Sequence, residues 1–134
     1  MKEDHSVLDL GCGTGVFGFI YLSVFSNINI DIIFTDCSEA ILGNTLYNFR
    51  NLLFSNKVTK ATFIKSDMFD DIPTEKPFHT ILANLPQTPF QDPHSKPDKN
   101  GGHDSLLFNK KLLESWQIYS TKQLIMLYSY MCWP

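Results

Sequence analysis

Three carboxylates, Asp9, Asp36 and Asp67, each close a short β-prone run, and the glycines Gly11, Gly13 and Gly15 follow the first of them. Glycine admits positive φ and places no Cβ between the backbone and a ligand, so a strand that ends in such a turn and runs into a helix suits a cofactor cradle. Two ligand chemistries fit the spacing. Gly13-Thr14-Gly15-Val16-Phe17-Gly18 satisfies the G-x-G-x-x-G dinucleotide pattern, and Asp36 lies 18 residues beyond Gly18, where an acid for a ribose is expected. Asp9 separates the two. A nicotinamide dinucleotide would bring its pyrophosphate against that carboxylate and be repelled, whereas a ligand carrying a cationic amine would be attracted. Asp36 can accept two hydrogen bonds from a vicinal diol. The same residues also have plain structural uses: glycines for packing, Asp36 as an acid at a helix start, Met68 and Phe69 as core.

The elements that must position these groups alternate between strand and helix. Ser6-Val7-Leu8-Asp9-Leu10 reads as the first strand, and residues 16–25 as an apolar stretch long enough for a buried helix. Residues 30–35 form the second strand. Ser38 is the natural N-cap of a second helix whose Leu42, Leu46, Phe49 and Leu53 share one face. Residues 62–66 and 78–83 are the third and fourth strands, with Pro73 and Pro77 breaking the segment between them. The stretch 86–102, with four prolines and two glycines, is a long loop of the kind that carries function. Asp104 is expected to cap a third helix with Phe108, Leu112, Trp116 and Tyr119 on one face, and residues 123–131 read as a fifth, apolar strand. This alternation predicts an α/β fold, a mostly parallel twisted sheet with helices on both faces.

A length of 134 residues holds a single domain, residues 1–134, and 43% hydrophobic against 19% charged residues is the balance of a globular chain. No apolar run is long enough for a membrane helix and the first residues carry no secretion signal, which points to the cytoplasm. Cys12, Cys37 and Cys132 are too few and too scattered for a disulfide framework or a zinc site, and His5, His79, His94 and His103 show no metal-ligand spacing, so no metal is assigned. A net charge of −3 does not favour a nucleic-acid partner.

Val7-Leu8-Asp9-Leu10-Gly11-Cys12-Gly13-Thr14-Gly15 closely resembles motif I of class I S-adenosylmethionine-dependent methyltransferases, which have a Rossmann-like core. The resemblance implies S-adenosylmethionine as cofactor. It implies contacts from Asp9 to the methionine ammonium, directly or through water, from the Gly11, Cys12, Gly13 and Thr14 segment beneath the ligand, from Asp36 and Cys37 at the ribose, from Asp67 and Met68 at the adenine, and from Asn84. Ala83-Asn84-Leu85-Pro86-Gln87 resembles the N-P-P-Y element of enzymes that methylate planar nitrogens, and Gly101-Gly102-His103-Asp104-Ser105-Leu106 resembles the G-G-x-D-G-L element of the HemK or release-factor glutamine methyltransferases. That likeness makes Asn84, Leu85 and Pro86 the transfer site and a protein glutamine amide the acceptor. A planar NH₂ is a poor nucleophile, and two acceptors gripping its hydrogens, the Asn84 side chain and the Leu85 carbonyl, would orient it. Gln87 replaces the usual aromatic ring, which keeps a small-molecule acceptor open as the alternative. Family members continue with a C-terminal strand pair that this sequence lacks, so a truncated member or a non-catalytic binding module is the further alternative. The fifth strand is then expected at a sheet edge, where it would self-associate or meet a partner polypeptide.

Overall fold

The computed structural model describes residues 5–52, 58–87 and 106–127. Its elements run β1 (His5–Leu10), α1 (Val16–Val24), β2 (Ile30–Asp36), α2 (Glu39–Asn51), β3 (Val58–Lys65), β4 (Phe78–Ala83), α3 (Leu107–Tyr119) and β5 (Ser120–Met126). The strands form one sheet in the order β3-β2-β1-β4-β5, and every pairing is parallel. The expected α/β architecture is therefore present. The chain winds outward from β1 through β2 to β3, then restarts on the other side with β4 and β5. The reversal falls between β1 and β4, where open α/β sheets leave a crevice at their carboxyl ends. There Leu10 is in register with Ala83, so Gly11 and Asn84 are the next residues out on neighbouring strands.

Period-two alternation splits the core into two layers. Val7, Ile30, Ile32 and Phe34 pack with Phe19, Tyr21 and Leu22 of α1 and Leu42 of α2. Leu8, Leu10, Ile81 and Ala83 face the other way, against Leu112 of α3, with Phe108, Trp116 and Tyr119 partly buried beside it as their spacing predicts. Phe69, in the turn after β3, stacks on Tyr119 with centroids 4.2 Å apart.

Several expectations shift. The apolar stretch at 16–25 is not a buried helix, because it lies in an outer layer: Gly18, Phe19, Tyr21 and Leu22 are buried, whereas Val16, Ile20 and Val24 are 54–64% exposed. The strand β3 begins at Val58 rather than 62, since its polar first half pairs with β2 across an irregularity at Ile30 and Asp31. The strand β5 begins at Ser120 rather than 123, because Ser120 is at once the extended C-cap of α3 and the partner of Phe78. The N-cap of α3 is Leu106, with no side-chain cap, and not Asp104. Asp104 lies outside the described residues, as do the rest of the 101–105 element, His94 and His103, Leu53, Cys132, residues 88–102 of the proline-rich loop and the end of the predicted fifth strand. No described helix is long and apolar enough to cross a membrane.

Candidate functional site

The turn after β1 needs three left-handed glycines: Gly11, Gly13 and Gly15 have φ of 64°, 56° and 86°. They differ in what lies above them. A Cβ at Gly15 would stand 2.5 Å from Phe19 and 2.8 Å from Thr45, so Gly15 is fixed by packing. A Cβ at Gly13 would meet nothing within 4 Å, so the loop presents bare backbone to open space at that point. Thr14 beside it is exposed. This is a surface a ligand can approach closely, the property expected of a cofactor cradle.

The acids hold the loop in shape as well as facing it. Gly15 takes the N-cap of α1 without a side-chain cap, leaving the amides of the first turn in need of acceptors. Asp9 supplies one from the strand beneath: its Oδ2 accepts from Gly18 N–H at 2.9 Å, and a Cβ at position 18 would collide with that oxygen at 2.6 Å. Asp9 is 1% exposed and thus lies under the loop. Burial, with a smaller contribution from the nearby Asp36 charge, pushes its carboxyl up to about 7 against the opposing hydrogen bond from Gly18. Asp36 accepts from Gly13 N–H through Oδ2 at 3.1 Å and from Ser38 N–H through Oδ1 at 3.0 Å. It therefore ties the end of β2 to the glycine turn. Ser38 caps α2 as its sequence position predicts, accepting from Ile41 N–H at 3.4 Å.

The helix α2 contributes residues that the sequence did not single out. Thr45 is fully buried and donates to Gly13 O at 2.6 Å, with Ile41 O at 3.0 Å, and Asn48 Nδ2 donates to Thr14 O at 3.1 Å. Two side chains three positions apart thus grip two successive carbonyls of the loop from one helix face. The signal was present as Thr and Asn interrupting the apolar face of α2, but only the placement of α2 over the loop reveals its use. The Cys12 N–H donates to Thr35 O at 2.7 Å while its buried side chain lies against Thr45, and burial raises the thiol to about 12. The Cys12 carbonyl accepts from Gly15 N–H at 2.8 Å, so both its backbone groups and its buried thiol serve to shape the turn. Cys37 is exposed, and partial burial with the adjacent Asp36 charge raises its thiol too.

At the end of β3, Asp67 is exposed, Met68 is half-buried and Phe69 is core. At the end of β4, Asn84 is exposed, Leu85 is buried and Pro86 is half-buried. Leu85 touches the cofactor loop, since a Cβ at Gly11 would come to 3.0 Å from its Cδ2. Gln87 does not extend outward as a substitute for a ring. Its Nε2 donates to Leu127 O at 2.6 Å, and Leu127 N–H donates to Ala83 O at 2.9 Å, so the side chain ties the turn after β4 to the end of β5. Asp9, Asp36, Asp67 and Asn84 thus occupy the ends of four adjacent strands on one edge of the sheet. A cleft of about 740 Å³ lined by Ser6, Asp31, Lys60, Thr62 and His79 lies at the opposite edge, away from all of them.

The sequence profile of a family described as a methyltransferase domain matches residues 1–131. The chain belongs to that family. Among curated relatives of this methyltransferase domain, the ribosomal protein uL3 glutamine methyltransferase of Francisella tularensis is 30% identical over 126 residues, covering 87% of this chain and 38% of its own length. The ribosomal RNA small subunit methyltransferase C of Hamiltonella defensa is 38% identical over 80 residues, covering 60% of this chain and 21% of its own length. The domain therefore spans well under half of either relative. Among solved structures, an rRNA methylase from Streptococcus thermophilus aligns over 98% of this chain and 66% of its own at a TM-score of 0.54 and 20% identity. The plantazolicin methyltransferase BpumL, solved with a desmethylPZN analogue and SAH, aligns over 87% of this chain and 35% of its own at a TM-score of 0.54 and 23% identity. Both share the fold.

Proposed function

We propose that this chain binds S-adenosylmethionine over the Gly11 to Gly15 turn and transfers its methyl group to the amide nitrogen of a protein glutamine. The observation that carries the reading is the register of Leu10 with Ala83, which sets Asn84 beside the start of the glycine turn. The open space over Gly13, the acid of Asp36 and the exposed Asp67 fit a ligand with an amino-acid end, a ribose and a base. The cofactor, when bound, supplies an electrophilic methyl carried on a sulfonium.

The residues of the chain do the rest. The Asn84 side-chain oxygen accepts one hydrogen of the incoming NH₂ and the Leu85 carbonyl accepts the other, which aims the nitrogen and stabilises the positive charge it gains. Pro86 keeps Leu85 out of the helical region, so that carbonyl stays directed away from a helix-type hydrogen bond. A glutamine acceptor is supported by the 30% identity to the uL3 glutamine methyltransferase over 87% of this chain; the missing ring at Gln87, engaged at Leu127, removes stacking for a nucleobase and a planar amide alike. Overall charge gives no further support, because rRNA enzymes stand among the relatives beside the uL3 glutamine methyltransferase. Incubating the chain with tritiated S-adenosylmethionine and either uL3 protein or ribosomal RNA tests the reading. Label in a glutamine side chain supports it, and label in RNA or in neither overturns it.

The ribose assignment makes a separate prediction. Asp36→Ala removes a charged acceptor from the diol and frees the amides of Gly13 and Ser38, so S-adenosylmethionine affinity falls by roughly ten- to a hundredfold, the equivalent of ~1.5–3 kcal/mol. Calorimetry reads this directly, and binding of NAD in place of S-adenosylmethionine would sink the cofactor assignment.

We also propose self-association through β5, the last strand of the described sheet. Its first half carries the exposed Lys122, a charge that discourages edge pairing, but Leu124 to Met126 are uncharged and Leu127 is 57% exposed. Light scattering is expected to show oligomers for the parent chain and a shift toward monomer for Leu127→Lys; a monomeric parent would refute this.

A further inference from the structure

Met68 is the one non-glycine residue among those described that has a positive φ, +50°. Left-handed backbone is disfavoured for a residue with a side chain and persists only where its surroundings impose it. Ser66 brackets this residue with hydrogen bonds. Its hydroxyl donates to Met68 O at 3.0 Å and accepts from Asp71 N–H at 3.1 Å, while its own N–H donates to Asp36 O at 3.0 Å. Ser66 is 4% exposed, so these bonds do not compete with bulk water. Asp70 N–H donates to Asp67 O at 3.1 Å and tightens the same turn. With Met68 in this conformation its side chain packs with the core cluster around Leu8 and Leu10, while Asp67 next to it stands exposed.

We propose that Ser66 is a positioning residue for the cofactor's base: it latches Met68 in the left-handed conformation, fixes how Asp67 and Met68 present themselves, and ties their turn to Asp36. The inference rests on the reading that Asp67 and Met68 face the adenine. Both bonds of the Ser66 hydroxyl fall within the turn that carries Asp67 and Met68, so its loss is felt first there.

The test is a double-mutant cycle read by calorimetry with S-adenosylhomocysteine, with thermal unfolding run alongside. Ser66→Ala is expected to weaken binding about tenfold, from two hydrogen bonds lost at a buried site. In the Met68→Gly background the same change is expected to cost less than about threefold, because glycine takes the left-handed conformation without a latch. Ser66→Thr, which keeps the hydroxyl, stays near the parent, and Ser66→Cys replaces Ser66→Ala in the cycle should the alanine variant fail to fold. An equal loss in both backgrounds, or no loss on removing the hydroxyl, overturns the latch. Asp67→Ala separates this from the reading beneath it. Unchanged affinity in that variant removes the adenine assignment, whereas weakened affinity there with none in Ser66→Ala removes only the role of Ser66.

Discussion

Asn84→Ala is expected to lower methyl transfer by about 10²- to 10³-fold while S-adenosylmethionine affinity stays within about threefold of the parent, the loss typical of deleting one preorganised acceptor at a reacting centre. Asn84 is exposed at the end of β4, and the backbone on either side of it is held independently: Ala83 O by Leu127 N–H, Leu85 by burial against the glycine turn. Truncating the side chain therefore leaves the turn in place and removes an interaction that matters only once charge develops on the acceptor. Transfer of tritiated methyl gives the rate, and calorimetry gives the affinity. Cofactor affinity falling in step with the rate would make Asn84 a structural or cofactor-contacting residue and end the acceptor assignment.

Asp9→Asn produces effects of opposite sign on stability and on binding. The Asp9 carboxyl titrates near 7 in the folded chain against 3.8 for an unperturbed group, because burial penalises its charge. A raised folded-state pKa gives stability that is complete below the unfolded value and is lost as pH climbs through the folded one, a total of ~4 kcal/mol here. Asparagine keeps an oxygen for Gly18 N–H and carries no charge at any pH. The variant is therefore expected to be more stable than the parent at pH 8, with the gap shrinking by roughly 3 kcal/mol on going to pH 5. At pH 8 it binds S-adenosylmethionine more weakly, since the carboxylate proposed to attract the ammonium is gone. Denaturant unfolding at the two pH values checks the first effect; parallel curves for parent and variant would show that Asp9 does not titrate as its burial requires.

The glycine turn and the acids at the strand ends were more legible in the sequence than the contacts that hold them. Gly11, Gly13, Gly15 and the acids of the first three strands are recognisable because each role is written in a few contiguous residues: a backbone that needs positive φ, a charge at a strand end. Strands β1, β2 and β4 were readable for the same reason, as runs of apolar and β-branched residues between turn signals. What escaped depends on distant packing. Thr45 and Asn48 look like polar interruptions of an amphipathic helix until α2 is laid across the loop and their donors meet Gly13 and Thr14. Ser66 reads as the last residue of a strand, and nothing local announces that its hydroxyl will meet Met68. Gln87 reads as a missing ring, whereas the fold uses it to bond Leu127, 40 residues away. The start of β5 escaped because Ser120, Thr121 and Lys122 are polar and follow α3 with no intervening turn.

The pairing of Leu10 with Ala83 makes the reach between donor and acceptor a property of the sheet itself. Neighbouring strands stand about 4.8 Å apart whatever their side chains, because main-chain hydrogen bonds set the spacing. In the proposed reaction that spacing acts as a fixed gauge. Residues 86 and 87 can then diverge, exchanging a ring for an amide as at Gln87, while Asn84 and Leu85 keep their place beside the glycine turn. A domain built this way would change its clientele through the residues beyond Leu85 without redesigning its cofactor cradle, and chimaeras that exchange only Pro86 and Gln87 are the way to test it.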